Sequence, residues 1–513
     1  MRLAIAAALA SGVLLWLAAP AVGAGWLAWI ALVPAASVVL AFPGTRAARL
    51  SIPLGYVVYL ELLLVPAFPF GVADGQFGDP VVPVLVGGSP VLAIALVVVP
   101  LVGALLYAVR FGQPWGAGAL PAGAAAVAAI AVPALAWTAL DFARAKLDPG
   151  ALWGPLFLSQ TDQSAGSVAA LGGPWLITLA IVAVNYGIAA AIVRRRIAPA
   201  LASAVVAVAL ILAGSAAEPQ AGDARALRVA AIQPGYDTAN EERQVLRRFE
   251  PGTWDLAALD LIRDDLGDLT RSAARRGAEL VVWPEASMYV DPRREPPVRR
   301  ALLGLSRSTG VTLIVPFFDR PANEGYAIAV VPSAGGARLT EARAKQRPAW
   351  VVGESRGEGE ALPIDLDGIR VGTLLGTDPQ DARIAGVLAS EGAELLASST
   401  HDWRQSAAPQ AAYARLAARA SGLTLIRADW RYGSAIYAPD GERLAYAGHE
   451  QRRTTLVADV GIAAASTPYA AVGDLVGWLA AGASLAALVA TARAGRRRPI
   501  SPRDPAIERS GGL

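Results

Sequence analysis

Residues 1 to 217 are almost continuously apolar, and Pro, Gly and Arg punctuation divides them near 3–19, 23–42, 50–70, 83–108, 117–141, 166–193 and 199–217. Each stretch is long enough to cross a hydrocarbon core of about 30 Å as a helix, so seven crossings are expected. Beyond "SAAEPQAGDARA" the pattern changes, and short β-rich runs alternate with amphipathic stretches. "LRVAAIQ", "ELVVW", "VTLIVPF", "YAIAVV", "RVGTLL", "AELLAS", "LTLIRA" and "SAIYA" predict strands. Helical periodicity fills 255–276, 296–308, 379–391 and 407–420. Strands alternating with helices predict a layered α/β domain. An eighth apolar segment near 470–492 precedes a basic tail. The expected organisation is a membrane bundle over 1–217, a water-exposed domain over 218–462, a final span over 463–495 and a tail over 496–513.

Composition agrees with a membrane protein. The 513-residue chain is 54% hydrophobic and 17% charged, and its mean hydropathy is +0.44, too apolar for an ordinary soluble domain. The net charge of +3 comes without aromatic-interleaved basic runs, which argues against nucleic acid. No cysteine is present, so disulfides, thiolate metal sites and thiol nucleophiles are excluded. The two histidines, His401 and His449, are too few for a typical zinc site, and no metal or cofactor is expected. Arginines at 2, 46, 49, 110, 194–196, 493 and 496–498 alternate with neutral or acidic loops. This distribution orients the spans with the large domain outside the cytoplasm.

Candidate chemistry lies where strands end. Glu285 follows "ELVVW" and a proline, a placement suited to a partly desolvated general base, although a surface glutamate opening a helix has the same appearance. Lys345 is one of two lysines in the chain and follows a strand-like run, where a cation stabilises oxyanion charge or simply sits in solvent. Glu354 follows nine residues later. "RVGTLLGTDPQD" ends a strand in a sharp turn of the kind that displays a nucleophile. Asp378 before Pro379 fits the cap of the 379–391 helix. Glu61 lies inside the third span, where an acid costs a few kcal/mol unless paired or wetted, so a bundle-facing or functional role is expected.

"VAAIQPG", "LVVWPEAS", the Lys345 to "VVGE" segment, "RVGTLLGTD" and "LTLIRADWRYGSAIYAPDGERL" occur in the order and approximate spacing of the nitrilase (carbon-nitrogen hydrolase) superfamily. "WLAWIALVPA", "ALWGPLFLSQTDQSAGSVAALGGPWLITL" and "TPYAAVGD" resemble apolipoprotein N-acyltransferases specifically. The resemblance implies about eight transmembrane helices in a bacterial cytoplasmic membrane, joined to an extracytoplasmic αββα sandwich. It implies transfer of an acyl chain from a phospholipid to a cysteine thioester, then to the N-terminal cysteine of a lipoprotein. In those roles Glu285 is the general base, Lys345 the oxyanion stabiliser and Glu354 a supporting acid. Some relatives associate with a membrane glycosyltransferase, which the resemblance adds as a partner.

The sequence departs from that pattern at the elbow. Gly376, Thr377 and Asp378 stand where the family has Cys-Tyr-Glu, so the thiol position carries a hydrogen atom. Thr377 is a poor substitute, because an alkoxide is harder to form and a one-residue shift turns the side chain to another face. The Glu354-to-elbow stretch is shorter than the family's, which implies a reduced lid. "THDWRQ" aligns Asp402 and Trp403 with a family substrate loop. Loss of the standard thioester activity is expected. Acyl transfer through another nucleophile and a catalytically silent module that binds lipid, lipoprotein or a docking partner are the two main readings. A small-amide amidase is a distant third, since it leaves the spans unexplained.

Overall fold

The computed structural model describes residues 1–67, 122–146, 154–219, 225–235, 254–348, 354–402, 404–448, 452–462 and 466–496. The expected span near 83–108, most of the basic tail, Trp403 and the side chain of Glu61 lie outside them.

The apolar half is helical. It comprises α1 (Arg2–Ala18), α2 (Val33–Ala41), α3 (Arg46–Ala67), α4 (Ala122–Lys146), α5 (Ala169–Arg194) and α6 (Ala198–Ala217). Among the described residues, three helices are long and apolar enough to cross a membrane: Gly123–Lys146, Ser164–Arg194 and Ala198–Ala217. Arg2–Ala18, Gly25–Ala41 and Leu475–Val489 are shorter apolar helices. The expected second span is not one continuous helix. Gly25–Trp29 forms a tight 3-10 turn, and α2 begins only at Val33. The buried Asn185 of α5 makes the break tenable. Its Oδ1 accepts from the Leu32 amide at 2.7 Å and its Nδ2 donates to the Ala28 carbonyl at 2.9 Å, which pairs backbone groups that a broken helix leaves open. A Cβ at Gly25 would lie 2.0 Å from the Ser159 carbonyl oxygen, so only glycine permits that approach.

The other half is built on two sheets. The first holds β1 (Arg225–Gln233), β2 (Leu280–Val282), β3 (Thr312–Asp319), β4 (Glu324–Ser333), β5 (Gly336–Leu339), β6 (Arg343–Ala344) and β13 (Thr454–Ile462). Its order is β13-β1-β2-β3-β4-β5, with β6 also on β4. The second sheet has the order β12-β11-β10-β9-β8-β7. It contains β7 (Ile364–Asp365), β8 (Arg370–Leu375), β9 (Leu395–Thr400), β10 (Leu425–Asp429), β11 (Ala435–Tyr437) and β12 (Arg443–Tyr446). The centres of both sheets are parallel, β1-β2-β3 in one and β8-β9-β10 in the other.

Strand alternation assigns the layers. In β1, Val229 and Ala231 join Val282, Ile314, Val371, Ala397 and Ile426 in the core between the sheets, while Ala230 and Ile232 face outward. That outer face is covered by α7 (Trp254–Asp260), α8 (Leu266–Arg275) and α9 (Pro296–Thr309). The outer face of the second sheet is covered by α10 (Ala382–Ser390) and α11 (Arg404–Ser421). The result is the expected αββα sandwich. The sequence reading omitted β13, whose "TTLVADVGI" runs antiparallel to the whole of β1.

The sandwich is continuous with the helical half. Tyr413, Ala412, Leu416 and Ala420 on α11 belong to the same buried cluster as Trp137, Phe157 and Trp175, and the Tyr413 and Phe157 rings meet edge-on at 6.0 Å. A short helix α12 (Pro468–Val472) leads into α13 (Leu475–Arg496). Between them Asp474 accepts from Trp175 Nε1 at 2.7 Å and pairs with Lys146 at 2.8 Å; Lys146 also reaches Asp381 of the sandwich at 3.1 Å.

Candidate active site

Parallel strands present their carboxyl ends together, and side chains just beyond those ends converge. Glu285 stands three residues past β2. Its amide donates to the Thr400 carbonyl at the end of β9, at 3.3 Å, and its carbonyl accepts from Trp430 Nε1 at 2.6 Å. Ala286, next in the chain, has φ +48°, a left-handed backbone unusual for a residue with a Cβ. Pinned from both sides, the turn aims the carboxylate at the end of β8.

Lys345 follows β6 directly and is 2% exposed. Its Nζ donates to Glu285 Oε1 at 2.8 Å and to Glu354 Oε2 at 2.6 Å. The three residues singled out for base, cation and supporting acid are therefore one hydrogen-bonded cluster. Burial raises the Glu285 pKa; Lys345 opposes the rise and Glu354 adds to it. Burial works against the Lys345 charge as well, but the two carboxylates outweigh it and hold the ammonium above its ordinary range. Glu285 remains 17% exposed, so its carboxylate keeps an opening to its surroundings.

The elbow sits at this cluster. Gly376 follows β8 immediately with φ +49°, and its amide donates to the Ser399 carbonyl at 2.8 Å. A Cβ built there would lie 2.3 Å from Glu285 Oε1 and 2.6 Å from Oε2. The carboxylate thus fills the volume that a side chain at 376 would need. Thr377 gives its hydroxyl proton to the Arg347 carbonyl, not to Glu285.

Asp378 is not the cap of α10; that role belongs to Asp381, whose side chain accepts from the Arg383 amide. Asp378 opens a short 3-10 turn and is 1% exposed. Its Oδ1 accepts from the Gln346 and Arg347 amides at 3.0 and 2.7 Å, and its Oδ2 from the Leu375 amide at 2.9 Å. One carboxylate therefore ties the lysine loop to the elbow. Burial pushes its pKa up to about 7 despite the backbone donors and Lys345. A raised carboxyl binds its proton more tightly in the folded chain, so the contribution of Asp378 to stability is present below about pH 4 and is lost as pH rises through about 7. Asp378→Asn is expected to flatten that dependence. Unfolding midpoints at stepped pH from about 4 to 8 should show variant minus wild type growing more positive with pH, and a constant difference would contradict the assignment.

Asp402 is 4% exposed and ion-paired with Arg427, which is fully buried, lies 3.6 Å from Asp429 and donates to the Tyr432 and Gly433 carbonyls. Asp429 in turn accepts from Thr400 Oγ1 at 2.8 Å and from the Arg431 and Tyr432 amides at 2.7 Å each. Asp402 thus stands in a support network behind the Glu285 turn. Sequence reasoning passed over Arg427, Asp429 and Trp430. The signal was two charges inside the otherwise apolar "LTLIRADW".

The family model for carbon-nitrogen hydrolase matches residues 228–467, and that for the apolipoprotein N-acyltransferase N-terminal domain matches residues 11–187. The chain belongs to the apolipoprotein N-acyltransferase family. Among solved structures, an amidase from Nesterenkonia sp. is similar at 19% identity, covering 47% of this chain and 94% of that one with a TM-score of 0.35. A carbon-nitrogen hydrolase from Helicobacter pylori G27 is similar at 16% identity, covering 46% and 89% with a TM-score of 0.35. A comparison with curated proteins gives no match. Within this N-acyltransferase family member, the helical half and the sandwich each correspond to one matched model, and the Glu285–Lys345–Glu354 cluster lies in the second.

Proposed function

We propose that this chain is a membrane-embedded N-acyltransferase homologue that has lost the thioester route and keeps its sandwich as an extracytoplasmic platform for lipid or lipoprotein. The observation carrying this reading is the Glu285 carboxylate standing where a side chain at 376 would be. A base is useful only with a proton to take, and here glycine offers none. Glu285, Lys345 and Glu354 are read as the remains of base, oxyanion stabiliser and supporting acid, with Asp402 and Trp403 in the substrate loop.

The reading includes about eight spans across a bacterial cytoplasmic membrane, with domains at 1–217, 218–462 and 463–495 and a cytoplasmic tail at 496–513. Supporting it, α1, α4, α5, α6 and α13 all have their sandwich-side ends near residues 18, 146, 169, 217 and 475, opposite the arginines at 2, 194–196 and 493. A glycosyltransferase partner has no feature among the described residues to support it and is left out of the reading. The second reading, acyl transfer through another nucleophile, is favoured by the intact lysine-bridged carboxylate pair.

Expression in a strain depleted of its own N-acyltransferase separates the two, with lipoprotein N-acylation followed by mass spectrometry. Wild type is expected to leave lipoproteins unacylated. Acylation by wild type that disappears in Glu285→Gln would sink the silent reading. Gly376→Cys alone is expected to restore none, because the new side chain needs the Glu285 carboxylate displaced from its Lys345 bond and adds a left-handed strain of about 1–2 kcal/mol. Recovered acylation in that variant would show that the thiol was the sole deficit.

A further inference from the structure

Away from the Glu285 cluster, a cleft of about 50 Å³ lies between the helical half and the sandwich. Its walls include Pro20 and Gly25 from the α1–α2 connection, Thr161 before α5, and Arg415, Arg443 and Tyr446 from the sandwich. The volume holds about four water-sized groups, the size of a phosphate with its oxygens.

Two arginines, Arg415 and Arg443, line the cleft and are close enough to repel one another, and neither has a carboxylate within ion-pair distance among the described residues. The Arg415 Nε donates to the Gly441 carbonyl, which fixes the plane of the group and leaves its two terminal nitrogens for the cleft. Arg443 lies over the Tyr446 ring, 4.7 Å from its centre, and its charge acts on the neighbouring Tyr437. The neighbouring Arg419 is already neutralised by Glu218 at 2.8 Å. The carboxylate on the cleft is Asp162, exposed and hydrogen-bonded to Gln163 Nε2 at 3.2 Å. Burial and the repulsion of Arg443 and Arg419 lower the Arg415 pKa, and Tyr437 and Asp162 offset that only in part, so an added anion would favour the charged guanidinium.

The depth of the cleft indicates where such an anion comes from. Ala18 ends α1, and Trp26 and Ile30 in the following turn are 62% and 40% exposed. An exposed tryptophan at a helix end is characteristic of the headgroup layer.

We propose that this cleft binds one phosphate group between Arg415 and Arg443, at the level of the bilayer headgroups. Planar guanidinium groups suit phosphate oxygens, and two of them around one group give a bidentate hold. A phospholipid headgroup and free inorganic phosphate share this chemistry, and the depth favours the lipid. The site is separate from Gly376 and stands whatever chemistry the elbow performs.

The test uses the full chain purified in detergent, with lipid retention counted by native mass spectrometry and thermal unfolding measured alongside. The probes are phosphatidylglycerol, diacylglycerol without a phosphate, and inorganic phosphate. One phosphatidylglycerol retained by wild type, weakened roughly tenfold or more in Arg443→Gln and in Arg415→Gln, with no retention of diacylglycerol, supports a lipid phosphate site. Stabilisation by inorganic phosphate that both variants abolish supports the same site with a free-phosphate source. Arg443 is exposed, so its replacement leaves the fold intact even where Arg415→Gln does not. Equal phosphatidylglycerol and phosphate binding by wild type and Arg443→Gln overturns the proposal.

Discussion

Lys345→Met should lower the unfolding free energy by about 3–5 kcal/mol, the usual cost of removing one partner from a buried ion pair. The lysine is 2% exposed and is the shared cation of Glu285 and Glu354. Without it, two carboxylates face each other in a desolvated site, and each must take up a proton or draw in water. The deficit should shrink as pH falls towards the ordinary carboxylate range, since protonation removes the repulsion. Adding Glu285→Gln to Lys345→Met should recover part of the loss. Thermal unfolding of the purified variants measures both effects, and a single variant as stable as wild type would mean that the cluster contributes nothing to the fold.

Arg427→Met is expected to be comparably severe, again about 3–5 kcal/mol. The guanidinium is fully buried between Asp402 and Asp429 and also covers the Tyr432 and Gly433 carbonyls. Methionine fills much of the volume but leaves four acceptor groups without that donor. Asp429 holds Thr400, whose carbonyl receives the Glu285 amide, so the damage should extend to the turn that aims the Glu285 carboxylate. Protease digestion of the folded variant should reveal it as new cleavage between residues 400 and 435. Wild-type resistance with an unchanged unfolding midpoint would refute the support role.

Much of this was readable in the chain because local signals agreed with the tertiary outcome. "ELVVW", "RVGTLL" and "LTLIRA" are apolar runs bounded by turn residues, and each became a strand with residues of the candidate site or its support network at its end. The Glu285, Lys345 and Glu354 cluster followed from resemblance and came together in space. Asp378 was misread because "DPQD" offers two aspartates with the same capping chemistry. Only the backbone amides of 346, 347 and 375, the first two distant in sequence, select one of them for another task. The break between Gly25 and Val33 was hidden for a similar reason, since the amide group that permits it sits on Asn185. β13 escaped notice because its run "TTLVADVGI" carries an aspartate, and pairing with β1 rather than apolarity fixes it as a strand.

The cluster that joins Tyr413 and Leu416 of α11 to Trp137, Phe157 and Trp175 makes the sandwich part of the seal on the helical half. A chain of this design has no detachable sandwich. Were its catalytic step to become superfluous, deleting the sandwich would uncover aromatic surface and strand Lys146 without Asp381. Exchanging one thiol for a hydrogen atom leaves that joint untouched. Architecture of this kind lets the elbow change atom by atom while the body around it must stay whole.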